Sequence, residues 1–417
     1  MTNNNQNESG LKFVLRAFRN RNYRIFFVGQ GASLVGTWMQ QMAMSWLVYR
    51  LTNSPFLLGM IGFLGQVPTF LLAPLAGVIA DRHNRHRLLV IVNILSMLQA
   101  AVLAWLFFTH NLQIWHILAL SVFVGMVNAF EIPTRHSFTF ELVEHKEDLG
   151  NAIALNSSMF NIARLIGPSI AGIMISVAGE GWCFTLNALS FLAVIGALLL
   201  MRGLGSRPKN NDNDIWRDLK VGFVYAFNHK LIRNVLLLLS FITLMGVPFQ
   251  VLMPVYAKDI FHGDSRTLGF LWAMAGVGAL TGTLYLAGRG NAMGLLPIVT
   301  SSTVIFSVSI IAFSFCSIFW LTMAIIGVAA FYMMVNMAAS NTILQTVVDE
   351  DKRGRVMSFF TMSFMGTAPF GSLIAGVVAE KIGGPWTLLV TGIICLIGAV
   401  IFQKVITDKP ISDSLKA

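Results

Sequence analysis

An all-α polytopic membrane protein, with twelve transmembrane helices in two six-helix halves, is the fold class this sequence predicts, and three observations predict it. Hydrophobic residues make up 55% of the 417, Asp, Glu, Lys and Arg only 12%, and mean hydropathy is +0.70. Apolar runs recur from Tyr23 to Gln403, and nearly all reach the ~20 residues a helix needs to cross a bilayer core, too long for buried strands. One long polar stretch, Gly203 to Asp214, separates six such runs from six more.

The expected spans run over 24–49, 55–80, 88–108, 114–134, 151–177 and 182–201, then 232–256, 266–288, 295–315, 318–345, 355–380 and 386–403. Turn compositions cut between them: Thr52-Asn53-Ser54-Pro55, Thr109-His110-Asn111, Gly179-Glu180-Gly181 and Gly383-Gly384-Pro385. Pro248 and Pro254 should kink the seventh, because proline removes a helix hydrogen bond and clashes with the preceding turn. The domain reading is a cytoplasmic N-terminal segment over 1–22, a first half over 23–201, a linker over 202–230, a second half over 231–405 and a tail over 406–417. Within the linker, Trp216, Leu219, Phe223, Phe227 and Leu231 recur at helical spacing with Arg217, Lys220 and Lys230 between them, the pattern of an interfacial amphipathic helix or of an extended start to the seventh span.

Loop charge sets the orientation. Alternate loops hold Arg82, Arg85, Arg87, Arg135, Lys146, the Arg202–Arg233 cluster, Arg289, Lys352, Arg353 and Arg355, whereas the others hold only Arg50, Lys258, Arg266 and Lys381. Cytoplasmic loops carry the Lys and Arg excess, so both termini are expected in the cytoplasm of a plasma (inner) membrane protein. The net charge of +10 follows from this topology and from attraction to anionic lipid, and no basic soluble domain points to nucleic acid. Residues 1–10 lack an apolar core, so the first span is expected to act as its own insertion signal.

Gly150, Gly167 and Gly172 recur as Gly354, Gly371 and Gly376, each 204 positions later, so the halves read as a parallel duplication with the substrate path between them. After the second span comes Gly77-Val78-Ile79-Ala80-Asp81-Arg82-His83-Asn84-Arg85-His86-Arg87. This resembles the major facilitator superfamily signature Gly-x-x-x-Asp-Arg/Lys-x-Gly-Arg-Arg/Lys. The resemblance implies a gating loop formed by Gly77, Asp81, Arg82, Asn84, Arg85 and Arg87. Gly77 would permit close helix contact, and Asn84 would supply a left-handed turn where the family has glycine. The second-half equivalent, Gly282 to Asn291, is degenerate, with Leu286 in place of the acid.

Closer in, Gly36 to Met39, Trp46 to Pro55, Pro133 to His136 and Asn151 to Ser157 resemble the branch holding enterobactin exporters and macrolide-efflux proteins. Arg164 to Gly172 is similar to the Gly-Pro motif of superfamily antiporters. That resemblance implies export of a small organic molecule, a siderophore-like metabolite or an amphiphilic drug, by alternating access with proton antiport. The alternatives are uptake or lipid flipping on the same fold, and a non-transporting scaffold or sensor. The expected partners are the small-molecule substrate, protons and membrane lipid, with the chain acting as a monomer.

Candidate contacts come from polar residues inside apolar spans. Gln30, Ser33, Thr37, Gln41 and Met44 fall within an arc of about 80° on the first span, a stripe too costly to face lipid. Asn128, Glu131 and Arg135 lie at i, i+3 and i+7 of the fourth span, Asn161 and Arg164 share a face of the fifth, Gln250 lies between the two prolines, and Tyr332 and Asn336 are four apart. Gln30, Ser33, Thr37, Gln41, Asn128, Asn161, Arg164, Gln250, Tyr332 and Asn336 are the expected substrate contacts. Glu131 is the expected proton carrier, with Arg164 or Arg135 as its counter-charge.

No enzyme signature competes. Gly276 to Gly282 and Gly288 to Gly294 lack the spacing of nucleotide loops, no Walker sequence occurs, and no nucleophile elbow accompanies the serines. The three cysteines form no ligand cluster and all eight histidines fall in loops or at span ends, so neither a metal nor a cofactor is expected.

Overall fold

The computed structural model describes residues 16–143, 148–201, 223–289, 294–350 and 352–407. Twelve helical paths succeed one another: α1 Arg21–Thr52, α2 Pro55–Arg82, α3 Arg85–Phe108, α4 Ile114–Glu141, α5 Leu149–Ala178 and α6 Glu180–Leu199, then α7 Lys230–Ile260, α8 Ser265–Gly288, α9 Leu295–Phe315, α10 Phe319–Val347, α11 Arg353–Ile382 and α12 Gly384–Thr407. Eleven are long and apolar enough to cross a membrane; the exception is α1, whose 32 residues carry the polar stripe that dilutes its hydropathy. A short 3-10 turn, Arg16–Arg19, precedes α1, and residues 223–228 are helical ahead of α7. The rest of the expected linker helix lies outside the described residues.

Proline acts on α7 as its chemistry requires. The path is Lys230–Gly246, then Pro248–Val251 and Met253–Val255, each with proline in its first turn, and ends in a wide turn over Tyr256–Ile260. Likewise α11 passes from Arg353–Thr361 through a wide turn at Met362–Gly366 to Ala368–Ile382, with Pro369 in the first turn of the new segment.

The chain resolves into two compact units, residues 1–43 with 71–210, and residues 44–70 with 211–417. The expected halves gave all of α1 and α2 to the first; the end of that hairpin, residues 44–70, packs with the second unit instead. In the first unit, α3 packs on α4 and α6, and α5 on α6. Tyr23, Phe26, Leu89, Val92, Phe138, Phe191 and Leu198 form its core. In the second unit, α10 packs on α8 and α9, and α12 on α9 and α7.

The 204-residue repeat has a structural content. A Cβ on Gly167 of α5 would lie 2.8 Å from the Val35 carbonyl oxygen of α1, and one on Gly371 of α11 would lie 2.4 Å from the Leu244 carbonyl oxygen of α7. In each half the fifth helix therefore crosses the first at the repeated glycine. Gly179 and Gly383, again 204 apart, end α5 and α11 with φ of +89° and +83°, conformations open to glycine.

Candidate functional site

The polar residues of the first unit sort by whether the protein already uses them. On α1, Gln30 and Ser33 are buried whereas Thr37 and Gln41 are exposed. Thr37 donates to the Ser33 carbonyl at 2.9 Å, which hides its hydroxyl within its own helix, while Gln41 makes no hydrogen bond among the described residues. Asn161 on α5 donates to the Ser157 carbonyl at 2.9 Å. Asn128 on α4, half-buried, has no such partner.

Glu131 and Arg135 form a pair within α4, with Arg135 Nε donating to the carboxylate at 2.6 Å and both side chains mostly covered. The i, i+4 spacing brings the two groups onto one face. Of the two counter-charges expected for Glu131, Arg135 holds it, and Arg164 makes no ion pair or hydrogen bond among the described residues. A second covered acid, Glu180 at the start of α6, is 3% exposed. As the first residue after the Gly179-type turn it reads from sequence as a loop residue, which is why the spacing argument passes over it.

Sequence reasoning also missed a buried amide chain. Gln40 on α1 donates to Gln99 on α3 at 2.9 Å, and Asn187 on α6 donates to Gln40 at 2.8 Å. Gln40 lies about 100° away from Gln41 on the helix wheel, so the stripe that singles out Gln41 excludes it. Isolated amides in apolar spans were the available signal for Gln99 and Asn187.

In the second unit, Asn336 is 2% exposed and its Nδ2 lies 2.8 Å from Thr303 Oγ1 and 3.0 Å from the Val299 carbonyl, both on α9. It ties α10 to α9, the helix-joining role, rather than presenting its amide nitrogen to a ligand. Gln250 and Tyr332 are half-buried and make no side-chain hydrogen bond among the described residues.

The hairpin end packed in this unit is held by polar contacts. The Tyr49 hydroxyl donates to Asp259, Lys258 donates to Asn53, and Glu380 accepts from Ser54 Oγ at 2.8 Å and from the Phe56 amide at 3.0 Å. Beneath them α2 crosses α11 closely: a Cβ on Gly59 would lie 2.4 Å from the Ser372 carbonyl oxygen, and one on Gly376 would lie 2.7 Å from that of Pro55. On the basic-loop side, Tyr225 donates to Asp349 at 3.0 Å and Lys352 to the same oxygen at 3.3 Å. These two donors hold the exposed Asp349 carboxyl below the usual carboxylate range.

The expected gating loop differs from its motif in two places. Asn84 has φ −66° and is not left-handed; it caps α3, its side chain accepting from the Arg87 amide at 3.0 Å. An asparagine can cap where glycine can only turn, so the substitution changes the job of the position. Gly77 faces open space, with nothing within 4 Å of an added Cβ, so it mediates no close helix contact here. Arg85 pairs with Glu141 at the end of α4 at 2.5 Å, while Arg82 and Arg87 are exposed. His86 reaches the Leu198 carbonyl of α6 at 2.8 Å, and the Asp81 side chain lies outside the described residues. Cys183, Cys316 and Cys395 are free thiols.

Residues 14–415 match the family model described as transmembrane secretion effector. The chain is 28% identical over 377 residues to the staphyloferrin A transporter of Staphylococcus aureus, covering 89% of this chain and 94% of that protein. It is 26% identical to macrolide efflux protein A of Streptococcus pyogenes, over 89% and 93%, and 22% identical to the enterobactin exporter EntS of Escherichia coli, over 92% of each. A bacterial homologue of the iron transporter ferroportin, in an inward-facing state, shares the fold with a TM-score of 0.69 and 16% identity, over 93% of this chain and 99% of that one. A POT family peptide transporter does so with 0.73 and 11%, over 93% and 97%. The match across nearly the whole chain, on a fold of twelve helices with a repeated half, means that this protein belongs to the transmembrane secretion effector family of major facilitator superfamily transporters.

Proposed function

We propose that this chain is a secondary active transporter that exports a small organic molecule by alternating access, driven by inward proton flow. It acts as a monomer in the plasma (inner) membrane with both termini cytoplasmic, the orientation the loop charges favour. The observation that carries the reading is a set of membrane-depth polar side chains that helix packing leaves unused: those of Gln41, Asn128, Gln250 and Tyr332 make no hydrogen bond among the described residues. Polar groups at that depth cost too much to be kept as ornaments of a scaffold, so they suit a passing ligand that supplies the missing partners.

The substrate class is a siderophore-like metabolite or an amphiphilic drug, in line with what the similar transporters are named for. One charge crossing ~100 mV supplies about 2.3 kcal/mol, which drives accumulation without nucleotide hydrolysis. Glu131 is the proton carrier in this reading, with Arg135 compensating its charge when the proton leaves. Asp81, Arg82, Arg85 and Arg87 gate the basic-loop side.

The deciding experiment is vectorial flux in proteoliposomes. Uphill movement of a siderophore or macrolide out of the cytoplasm-equivalent side, driven by an imposed proton gradient, supports the reading. Flux of the opposite sign replaces export with uptake, and absence of any flux leaves a non-transporting role.

A further inference from the structure

We infer that the transported molecule is an organic anion whose carboxylate, or a comparable oxyanion, seats on the Arg164 guanidinium. The inference rests on the export reading and adds its substrate class. Arg164 stands 15 residues from the start of α5 and 14 from its end, which is about 22 Å and 21 Å of helix. That depth is beyond what snorkelling to either interface can cover.

A cation so placed normally pairs with an acidic side chain or with backbone carbonyls. Here it has none: Arg164 makes no hydrogen bond and no ion pair among the described residues. The acid the sequence offers as its partner, Glu131, is held by Arg135 Nε at 2.6 Å. The Glu131–Arg135 pair is neutral as a unit, so among the described residues Arg164 contributes an uncompensated positive charge.

The group is also well placed to receive a ligand. The residue is half-buried. Its helix is fixed by the backbone approach at Gly167 to Val35, one turn further on, and by the edge-on contact of Phe160 with Trp38, one turn before. A guanidinium held on a rigid helix offers planar, paired N–H donors that match an oxyanion better than a spherical ion or a neutral amide. A neutral or cationic drug would leave this charge unanswered. A lipid phosphate would answer it with the same chemistry, so the test separates the two sources.

The full chain is reconstituted in phosphatidylcholine vesicles, with and without phosphatidylglycerol. Two dyes built on one xanthene scaffold are offered, anionic carboxyfluorescein and cationic rhodamine 6G. Wild type is expected to move carboxyfluorescein in preference to rhodamine 6G, Arg164→Gln to lower that rate at least tenfold, and Arg164→Lys to fall between. Equal carboxyfluorescein rates in wild type and Arg164→Gln, or no carboxyfluorescein movement by wild type, overturn the anion seat. If rhodamine 6G still moves in that preparation, export survives and only the seat falls; if neither dye moves, both fall. Inhibition of carboxyfluorescein movement in proportion to phosphatidylglycerol gives the site to a lipid headgroup and also overturns the proposal. Should Arg164→Gln not insert, the charge preference of wild type together with the Arg164→Lys rate decides the matter in the same way.

Discussion

Tyr49, near the end of α1, donates its hydroxyl to Asp259, at the end of α7 and 210 positions along the chain. Tyr49 is buried, Lys258 lies 5.6 Å from its ring centre, and Asn53 takes the ammonium of the same lysine. Together with Glu380 on α11, these groups fasten residues 44–70 to the second unit. A transporter that changes access has to release such a fastening in each cycle, so its strength should tune the balance between states. Tyr49→Phe removes one hydrogen bond to a charged acceptor, a loss of about 1.5–3 kcal/mol. The expected result is a lower thermal midpoint in detergent and faster chemical labelling of a cysteine placed at Ser54. Unchanged labelling would mean that the contact does not govern opening.

The α2–α11 crossing should be intolerant of any side chain. At Gly59 and Gly376 an added Cβ meets backbone atoms, which cannot swing aside as a flexible side chain can. Gly59→Ala and Gly376→Ala are expected to destabilise by roughly 1–3 kcal/mol each, as overpacking does. Gly77→Ala is the contrast, since its Cβ would enter open space. It should leave the midpoint unchanged despite its place in the family motif, apart from the slight gain alanine brings to a helix. Thermal unfolding of the three variants checks the ranking.

Asn84 separates two readings of the gating loop. If it caps α3, as its bond to the Arg87 amide indicates, Asn84→Asp should be neutral, Asn84→Gly should cost a few tenths of a kcal/mol and Asn84→Ala about 1 kcal/mol. Were a left-handed turn required there, glycine would be the best residue of the four. Stability measured across the series gives the order directly.

The sequence made the helices, the repeat and the family resemblance legible because hydropathy, glycine spacing and short motifs are local signals. The repeat at Gly167 and Gly371 even marked where the fifth helix meets the first in each half. The site was less legible, for physical reasons. A helix wheel says which residues share a face, but not whether a neighbouring helix already takes up their hydrogen bonds. Asn336 and Gln41 looked alike on that test, yet one is tied to α9 and the other is free. Glu131 likewise had two cations within reach in sequence, and only the folded α4 distinguishes Arg135 from Arg164. Contacts such as Tyr49 with Asp259 join residues too far apart for any pattern to register.

The basic-loop contact should respond to acid. Hydrogen bonds from Tyr225 and Lys352 hold the Asp349 carboxyl below its ordinary range. A folded-state pKa that is depressed gives stability present above the unfolded value, about 3.9, and lost as pH falls through the lower folded value. The contact between residues 223–228 and the α10–α11 loop should therefore hold at neutral pH and weaken only below about pH 4. Tyr225→Phe should move that loss to higher pH, toward the ordinary carboxylate range. Hydrogen exchange of the 223–228 segment across pH reads it out, and an identical profile in the variant would rule out the hydroxyl as the cause.

Proton coupling is tested at Glu131. The α4 geometry gives the carboxylate a built-in counter-charge, Arg135, so it does not stand there as a lone anion. Glu131→Gln keeps the shape and a hydrogen-bond acceptor for Arg135 but cannot ionise. It should abolish proton-driven accumulation while retaining downhill exchange of substrate, because the proposed substrate contacts on other helices are untouched. Arg135→Gln is the companion change. It leaves the carboxylate unpaired, and breaking a covered pair by removing one partner costs on the order of 3 kcal/mol, so this variant should lose stability as well as accumulation. Counter-flow and gradient-driven uptake measured in the same vesicles distinguish the two. If Glu131→Gln still concentrates substrate against its gradient, the coupling ion travels elsewhere and the Glu131–Arg135 pair is a brace within α4.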